Sequence, residues 1–213
     1  MRMQQLGRIA SIWRYPVKSL APEALPGVFV DSGGVPGDRA RALIVRAGHA
    51  RLGKTYRGKE NNLLHLSAST QHATELAKER GATVTLEHEE AHYFDAAPIS
   101  ILFDTWLAQG SELVGYPLEP LRYRPNFFVH AQNSFDFAER ELLGFHLKVG
   151  DAEFRVSDTI DRCVTITYDV ATGEPDPRIL SELAQRRDNV MGVYCEVSSP
   201  GSCSVGDAIE RLQ

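Results

Sequence analysis

The sequence has few cysteines and no pattern that would pair or cluster them. Cys163, Cys195 and Cys203 are an odd number in a chain whose start shows no secretion signal, which favours reduced thiols over a disulfide framework. No CxxC pair occurs, and although His88 and His92 stand four residues apart, the other five histidines are scattered along the chain. We therefore expect no zinc site built from protein ligands alone.

Long apolar runs and an excess of positive charge are also missing. No window approaches the roughly 20 apolar residues of a membrane helix, and residues 1–8 lack the apolar segment of a signal peptide. We therefore expect a cytoplasmic protein with no membrane partner. The formal net charge of -5 disfavours a nucleic-acid partner, because an acidic surface repels the phosphate backbone.

What the chain does contain is many short apolar segments separated by turns rich in glycine and proline. Helical patterns are fewer: the spacing predicts a helix over 98–109 and another that Ser67 caps. Residues 147–156 predict a hairpin, and 119–123 a strand. This pattern favours an α+β, mostly β protein rich in barrel structure.

Segment 157–169 places Cys163 beside Arg162 at the head of an alternating run that we interpret as a strand. Thr165 and Thr167 would share the face of the thiol. A thiolate is the form of cysteine that attacks electrophiles or binds metal, and a neighbouring guanidinium stabilises its charge. The alternative is a small buried hydrophobe, since free cysteine is among the most buried residue types.

The other two thiols have simpler interpretations. Alternation within 193–197 places Cys195 on the face that carries two valines, which predicts a core residue. Cys203 follows a Pro-Gly turn, and we interpret it as the exposed start of a strand.

Four basic residues share one local context, because each lies where a predicted strand meets a turn fixed by proline, glycine or aspartate. They are Lys18, Arg39, Arg124 and Arg162. Lysine offers a compact cation and arginine a planar fork that matches phosphate oxygens, so together they could bind an anionic small molecule. The alternative is that each pairs with an adjacent carboxylate, as Asp38 could with Arg39 and Asp161 with Arg162.

Several short motifs that span the chain occur in a characteristic order. They are Tyr15-Pro16-Val17-Lys18-Ser19, Gly37-Asp38-Arg39, Arg124-Pro125-Asn126, Arg162-Cys163 followed by Asp169 and Thr172-Gly173, and Gly192-Val193-Tyr194 with Val205-Gly206-Asp207. In this order they resemble MOSC-domain proteins. That family includes the C-terminal domain of molybdenum cofactor sulfurase and the mitochondrial amidoxime reducing component.

The resemblance implies a MOSC-type mixed β-barrel with a few short helices. It implies a reduced N-terminal MOSC-associated β-barrel segment over 1–87 and a MOSC domain over 88–213, with one shared ligand pocket. It also implies binding of the pyranopterin molybdenum cofactor, with Cys163 as molybdenum ligand or sulfur carrier, whereas pyridoxal phosphate is not expected. The residues expected to contact the cofactor are Lys18, Ser19, Arg39, Arg124, Asn126 and, beside the thiol, Arg162.

Three functions stay open at this point. A molybdenum-dependent oxidoreductase acting on N-hydroxylated small molecules would need an external electron donor, because the chain has no ferredoxin-like cysteine cluster. A sulfur carrier would need a persulfide on Cys163 and a sulfur-donor protein. A non-catalytic module would bind or hand over an anionic pterin or another phosphorylated ligand.

Overall fold

The computed structural model describes residues 3–88 and 93–212, which are about 40% strand and 22% helix. The strands are β1 Met3–Arg14, β2 Glu23–Leu25, β3 Gly27–Val30, β4 Arg41–Gly48, β5 Ala82–His88, β6 Ile99–Phe103, β7 Phe127–Ala131, β8 His146–Val149, β9 Ala152–Asp161, β10 Val190–Ser199, β11 Gly201–Ser204 and β12 Ala208–Leu212. The helices are α1 Thr70–Glu79, α2 Asp104–Val114 and α3 Pro177–Arg186. No helix in these two ranges is long and apolar enough to cross a membrane.

Seven strands close into one barrel in the order β12, β8, β9, β10, β6, β7, β1, with β1 returning to β12. The β6–β7 pair is parallel and the other pairs are antiparallel. Closure pairs both sides of every barrel strand, which removes exposed edges. The prediction of a mostly β protein built on a mixed β-barrel with a few short helices is confirmed.

Strand β6 shows why one predicted helix is wrong over part of its length. All five of its residues are buried between β10 and β7, so the strand carries no polar alternation and its apolar run also fits a helical period. The predicted helix over 98–109 is therefore a strand up to Phe103 and a helix from Asp104. Phe103 packs on Phe135 in the core, with ring centroids 4.3 Å apart.

Other local predictions have mixed outcomes. The hairpin over 147–156 is confirmed by β8 and β9. The second helix is capped by Ser69 rather than Ser67, because the Ser69 side chain accepts the amide hydrogen of His72. The predicted strand over 119–123 is wrong, since Pro120–Tyr123 forms a 3-10 turn.

The strand expected to begin at Cys163 is also wrong. Strand β9 ends at Asp161, and Val164–Thr167 forms a 3-10 turn that begins directly after the cysteine. The Ile166 amide donates to the Cys163 carbonyl (3.1 Å), and the Thr167 hydroxyl donates to the carbonyl of residue 164 (2.7 Å). Such local bonds offer this β-branched segment an alternative to a strand ladder.

A second, smaller hydrophobic core lies beside the barrel and comes entirely from residues 17–84. Here β4 pairs with β5, and α1 packs against this ribbon. The same part of the chain supplies β1 to the barrel, where it pairs with both β7 and β12. The division into segments 1–87 and 88–213 stays a prediction.

Candidate functional site: a cationic cavity

A cavity of about 300 Å³ opens where β1 and β9 end and β7 begins. Most of its lining side chains are basic or aromatic. They are Lys18, Ser19, Arg39, Arg57, Gly58, Lys59, His65, Asp95, Ser100, Arg122, Tyr123, Arg124, Ile160, Asp161, Arg162, Cys163, Thr165, Ile166, Tyr168 and Tyr194. Seven of these are lysines or arginines and two are aspartates, so the wall is strongly positive in a protein of net negative charge.

The structure brings together all but one of the residues singled out from the sequence. Lys18, Ser19, Arg39, Arg124, Arg162 and Cys163 line this one cavity. Asn126 is buried behind the wall instead: its side-chain oxygen accepts hydrogen bonds from the amide and hydroxyl of Ser100, and its amide donates to the Trp13 carbonyl. It therefore positions Ser100, which lines the cavity.

Tyr15 forms the floor beneath two of the arginines. The Cζ atoms of Arg39 and Arg124 lie 4.7 Å and 4.2 Å from the centre of its ring. Burial raises the pKa of Tyr15 to about 12, against the opposing effect of the two guanidinium charges. The phenol thus stays neutral, and its ring face stabilises both cations.

The two arginines differ in how their charge is balanced. Arg39 is paired with the buried carboxylate of Asp38. Arg124 donates to the Leu20 carbonyl at 2.8 Å but has no carboxylate ion partner among residues 3–88 and 93–212. Burial, together with the nearby charge of Arg39, lowers the pKa of Arg124 to about 10. Arg124 is still charged at neutral pH, so the cavity contains a partly buried cation that an anion would stabilise.

Lys18 is engaged by a carboxylate that the sequence analysis did not single out. Its Nζ lies 2.7 Å from an Asp95 oxygen, and the Asp95 side chain is 67% exposed. Although partial desolvation beside the cavity wall acts to raise the pKa of Asp95, the charges of Lys18, Arg39 and Arg124 outweigh it and lower that pKa. An internal carboxylate therefore occupies one of the positions that could accept an anionic ligand.

The backbone at these turns adopts a conformation that L-residues rarely take. Ser19, Arg39 and Arg124 have φ angles of 72°, 47° and 52°, and they are three of the five non-glycine residues with positive φ in the described part of the chain. Tertiary contacts hold them: the Arg39 amide donates to the Tyr15 carbonyl, and its guanidinium donates to the Arg124 carbonyl. Strained residues of this kind cluster at ligand sites, where they fix side-chain direction.

Cys163 lies in the cavity wall, partly exposed, with its Sγ 3.1 Å from the Thr165 hydroxyl. The adjacent Arg162 does not pair with Asp161. Its guanidinium donates to the carbonyls of Met191 and Tyr123 instead, and burial lowers its pKa. This arrangement fixes a partly buried positive charge beside the thiol.

The other two cysteines are remote from this chemistry. Cys195 is fully buried, as predicted, and burial raises the pKa of its thiol well above the ordinary value. Cys203 is fully buried too, so the expectation of an exposed strand start is wrong: β11 pairs with β3, and the thiol donates to the Val149 carbonyl. Burial raises the pKa of Cys203 to about 12.

Several lining residues were missed because no periodicity marks them. Arg57 and Lys59 come from a polar loop whose pattern predicts no element, and their charge was the available signal. His65 stacks on Tyr168 with ring planes 11° apart. Because its Nε2 lies 2.8 Å from the Asp169 carbonyl, which can only accept, that nitrogen carries the hydrogen.

No group of three or more His, Cys, Asp or Glu side chains that could hold a metal ion occurs within 3–88 and 93–212. The molecule is thus a closed mixed β-barrel with a cationic cavity and one partly exposed thiol in it.

A family model described as the MOSC domain matches residues 88–210, more than half of the chain. The protein therefore belongs to the MOSC domain family.

Solved structures match most of this chain at low sequence identity, and the first of them shows the same fold. The YuaD protein from Bacillus subtilis superposes with a TM-score of 0.61 at 18% identity, covering 100% of this chain and 99% of that one. A crystal structure of a hypothetical protein gives a TM-score of 0.50 at 10% identity, over 98% and 70% of the two chains. YiiM from Escherichia coli gives 0.48 at 12% identity, over 97% and 70%. No curated protein matches the sequence.

Proposed function

We propose that the cavity binds the molybdenum cofactor and that Cys163 is the protein residue at its metal. The observation that supports this most directly is the partly buried Arg124, a cation without a carboxylate partner in the described chain, in the same cavity as a partly exposed thiol. Membership of a family associated with this cofactor supports the choice of ligand.

The residues present fit such a group. A cavity of about 300 Å³ is within the range of small-molecule sites. Arg39, Arg124 and Lys18 would hold the phosphate, since charge-assisted hydrogen bonds to phosphate are the strong ones. Cys163 would offer a soft thiolate, which suits a sulfur-rich metal centre better than a carboxylate does.

In this proposal the protein reduces N-hydroxylated small molecules with electrons from an external donor. The molybdenum cofactor, when bound, would supply the redox centre that the side chains lack. The chain's own residues bind the anionic end of the cofactor and hold Cys163 in the cavity wall. The placement of Cys163 inside a cavity supports contact with a bound small molecule over exchange with another protein's thiol, which a sulfur carrier requires.

Metal and pterin analysis of protein purified from a cofactor-producing host tests the proposal. We expect both in near-stoichiometric amount, with Arg124→Glu lowering cofactor affinity by about tenfold or more, because a charge-assisted hydrogen bond contributes about 1.5 to 3 kcal/mol. Arg155→Glu is a matched control, since Arg155 lies on the outer face of β9 and pairs with Glu196. Wild-type protein without molybdenum, or Arg124→Glu with unchanged retention, would contradict it.

Assays on the loaded protein separate the three functions. Turnover of an N-hydroxylated compound with an artificial reductant supports the reductase. Sulfane sulfur on Cys163 without turnover indicates a sulfur carrier. Tight cofactor retention with neither activity indicates a non-catalytic binding module.

A further inference from the structure

The cavity has a second pair of cations at some distance along the chain from the turns that carry Arg39 and Arg124. Arg57 and Lys59 flank Gly58, and all three line the cavity. They belong to the segment between β4 and α1, whereas Cys163 follows β9. Two distant parts of the chain therefore meet here.

The contact between these two parts is close. A Cβ built on Gly58 would lie 2.8 Å from Cγ2 of Thr165 and 3.8 Å from Cε2 of Tyr168. The hydroxyl of the same Thr165 lies 3.1 Å from the sulfur of Cys163. Through this single threonine, the loop that carries Arg57 and Lys59 is placed beside the thiol.

The charges of this loop are only partly compensated. Lys59 is exposed and has no ion partner among residues 3–88 and 93–212. Arg57 pairs with Glu60 at 3.3 Å, but its Nε is buried and has no hydrogen-bond partner within those residues. Asp161, two residues before Cys163 in the sequence, also lines the cavity. A buried donor without an acceptor is costly, so an anion that reached it would be stabilised.

We propose that Arg57 and Lys59 form a second anion subsite, and that the small molecule that reacts beside Cys163 carries a negatively charged group, a carboxylate or a phosphate. The proposal rests on the proposed function in taking the cavity as the substrate site. It goes further by naming the charge of the substrate and the two residues that select it. Arg39, Arg124 and Lys18 then serve the cofactor, and the loop cations serve the substrate.

The rate at which Cys163 reacts with disulfide reagents of different charge tests the subsite in cofactor-free protein. In each reaction the Cys163 thiolate bonds to one reagent sulfur, the reagent S–S bond breaks, and the other half leaves as a thiolate with the electron pair. The anionic reagent is 5,5'-dithiobis(2-nitrobenzoate), the uncharged one is 4,4'-dithiodipyridine, and the cationic one is cystamine. Cys195 and Cys203 are fully buried and do not compete.

We expect Lys59→Gln and Arg57→Gln each to lower the ratio of the anionic to the uncharged rate by about twofold to fivefold, the range that partly exposed charge pairs give. Lys59→Glu should lower it further and raise the ratio for cystamine. Lys54→Gln is the matched control, because Lys54 is exposed on the same loop and does not line the cavity. It should leave both ratios at their wild-type values.

Two results would overturn the subsite. One is an anionic-to-uncharged ratio in Lys59→Gln and Arg57→Gln equal to that of the wild type. The other is an equal fall in Lys54→Gln, which would indicate general surface charge. The test uses cofactor-free protein, so its result does not depend on whether the protein binds molybdenum. A failure of the anion subsite can therefore be distinguished from a failure of the proposed cofactor binding. If Arg57→Gln fails to fold, the Lys59 variants still provide the test, because Lys59 is exposed and its replacement should not disturb the fold.

Discussion

Cys163 differs from the other two thiols in what its sulfur can reach. It is partly exposed in a cavity beside a fixed guanidinium, whereas Cys195 and Cys203 are enclosed in the barrel core and burial raises the pKa of both. Thiolate and access are both needed for reaction. The structure therefore gives the three cysteines unequal chemistry.

We expect Cys163→Ser to keep the fold, because serine is nearly isosteric, and to abolish metal-dependent turnover or persulfide formation. Cys195→Ala and Cys203→Ser should keep either activity while losing some stability, since the first leaves a small cavity in the core and the second places a more polar hydroxyl there. Activity and molybdenum content of the three variants, with urea unfolding as the check on folding, provide the measurement. A Cys163→Ser protein with wild-type molybdenum content and activity would remove this cysteine from the chemistry.

Asp95 competes with any anion for Lys18. Replacing it by asparagine removes the carboxylate that lies 2.7 Å from Nζ and leaves the cation free for a ligand. We expect Asp95→Asn to bind inorganic phosphate roughly twofold to fivefold more tightly, the range expected for a partly exposed ion pair. The measurement is the phosphate-dependent rise in unfolding temperature. The control is Asp136→Asn, an exposed acid outside the cavity, and equal affinity in both variants would show that Asp95 does not compete.

His65 makes stability depend on pH in the slightly acidic range. Burial of its ring lowers its pKa in the folded state below the ordinary 6.5. The unfolded chain then takes up the proton at a higher pH than the folded protein, so stability falls as pH drops from about 6.5 through the lowered pKa. Urea unfolding between pH 7.5 and 5 should show this loss in the wild type and a smaller one in His65→Gln. His146→Gln, exposed on β8, is the control; a loss of the wild-type size in His65→Gln would point to other groups.

At the scale of elements, the barrel could be predicted and the geometry of the site could not. Alternation identified the hairpin of β8 and β9, but alternation in Val164–Thr167 was misleading, because this segment bonds locally in a 3-10 turn. The order of the sequence motifs predicted that the basic turns and Cys163 form one site. Arg57, Lys59 and Asp95 could not be predicted, since their positions depend on loop contacts between distant residues, such as Gly58 against Thr165.

The irregular start of β10 positions one of the site arginines. The pairing register of β10 with β9 is irregular between Val190 and Val193. Gly192 lies in this irregularity and has a φ of +91°. A Cβ built on it would lie 2.9 Å from the Ile101 carbonyl oxygen and 3.1 Å from Nη2 of Arg162. A bulge of this kind lets another group approach the backbone closely. The Met191 carbonyl, next to this glycine, accepts from the Arg162 guanidinium.

We therefore expect Gly192→Ala to lower the free energy of unfolding by more than the roughly 1 to 3 kcal/mol of positive-φ strain alone. Gly206→Ala is the matched control, since Gly206 has a φ of +96° and nothing within 4 Å of a built Cβ. The difference between the two in urea unfolding isolates the contact with Ile101 and Arg162. Equal losses would mean that the close approach is not important for stability.

At the scale of the whole molecule, the barrel is completed by β1, which comes from the N-terminal end of the chain, whereas the other six barrel strands follow residue 98. Strand β1 pairs with β12 on one side and β7 on the other, and its Leu6, Ile9 and Ile12 are buried in the barrel core. The region matched by the family model begins at residue 88 and so does not include this strand. The cavity likewise takes Lys18 and Arg39 from the first part of the chain and Arg124 and Cys163 from the second.

A fragment of residues 88–213 should therefore fail to form the closed barrel and should retain no cofactor. Without β1 it would leave two unpaired strand edges and an apolar face exposed, and exposed edges promote aggregation. The control keeps the first part present: a protease site placed after Ala96, in the stretch between β5 and β6, is cut after folding. The cut protein should stay associated, because β1 remains paired on both sides. Near-ultraviolet circular dichroism and urea unfolding compare the two, and a fragment that unfolds cooperatively at the urea concentration of the whole chain would show that β1 is dispensable for the barrel.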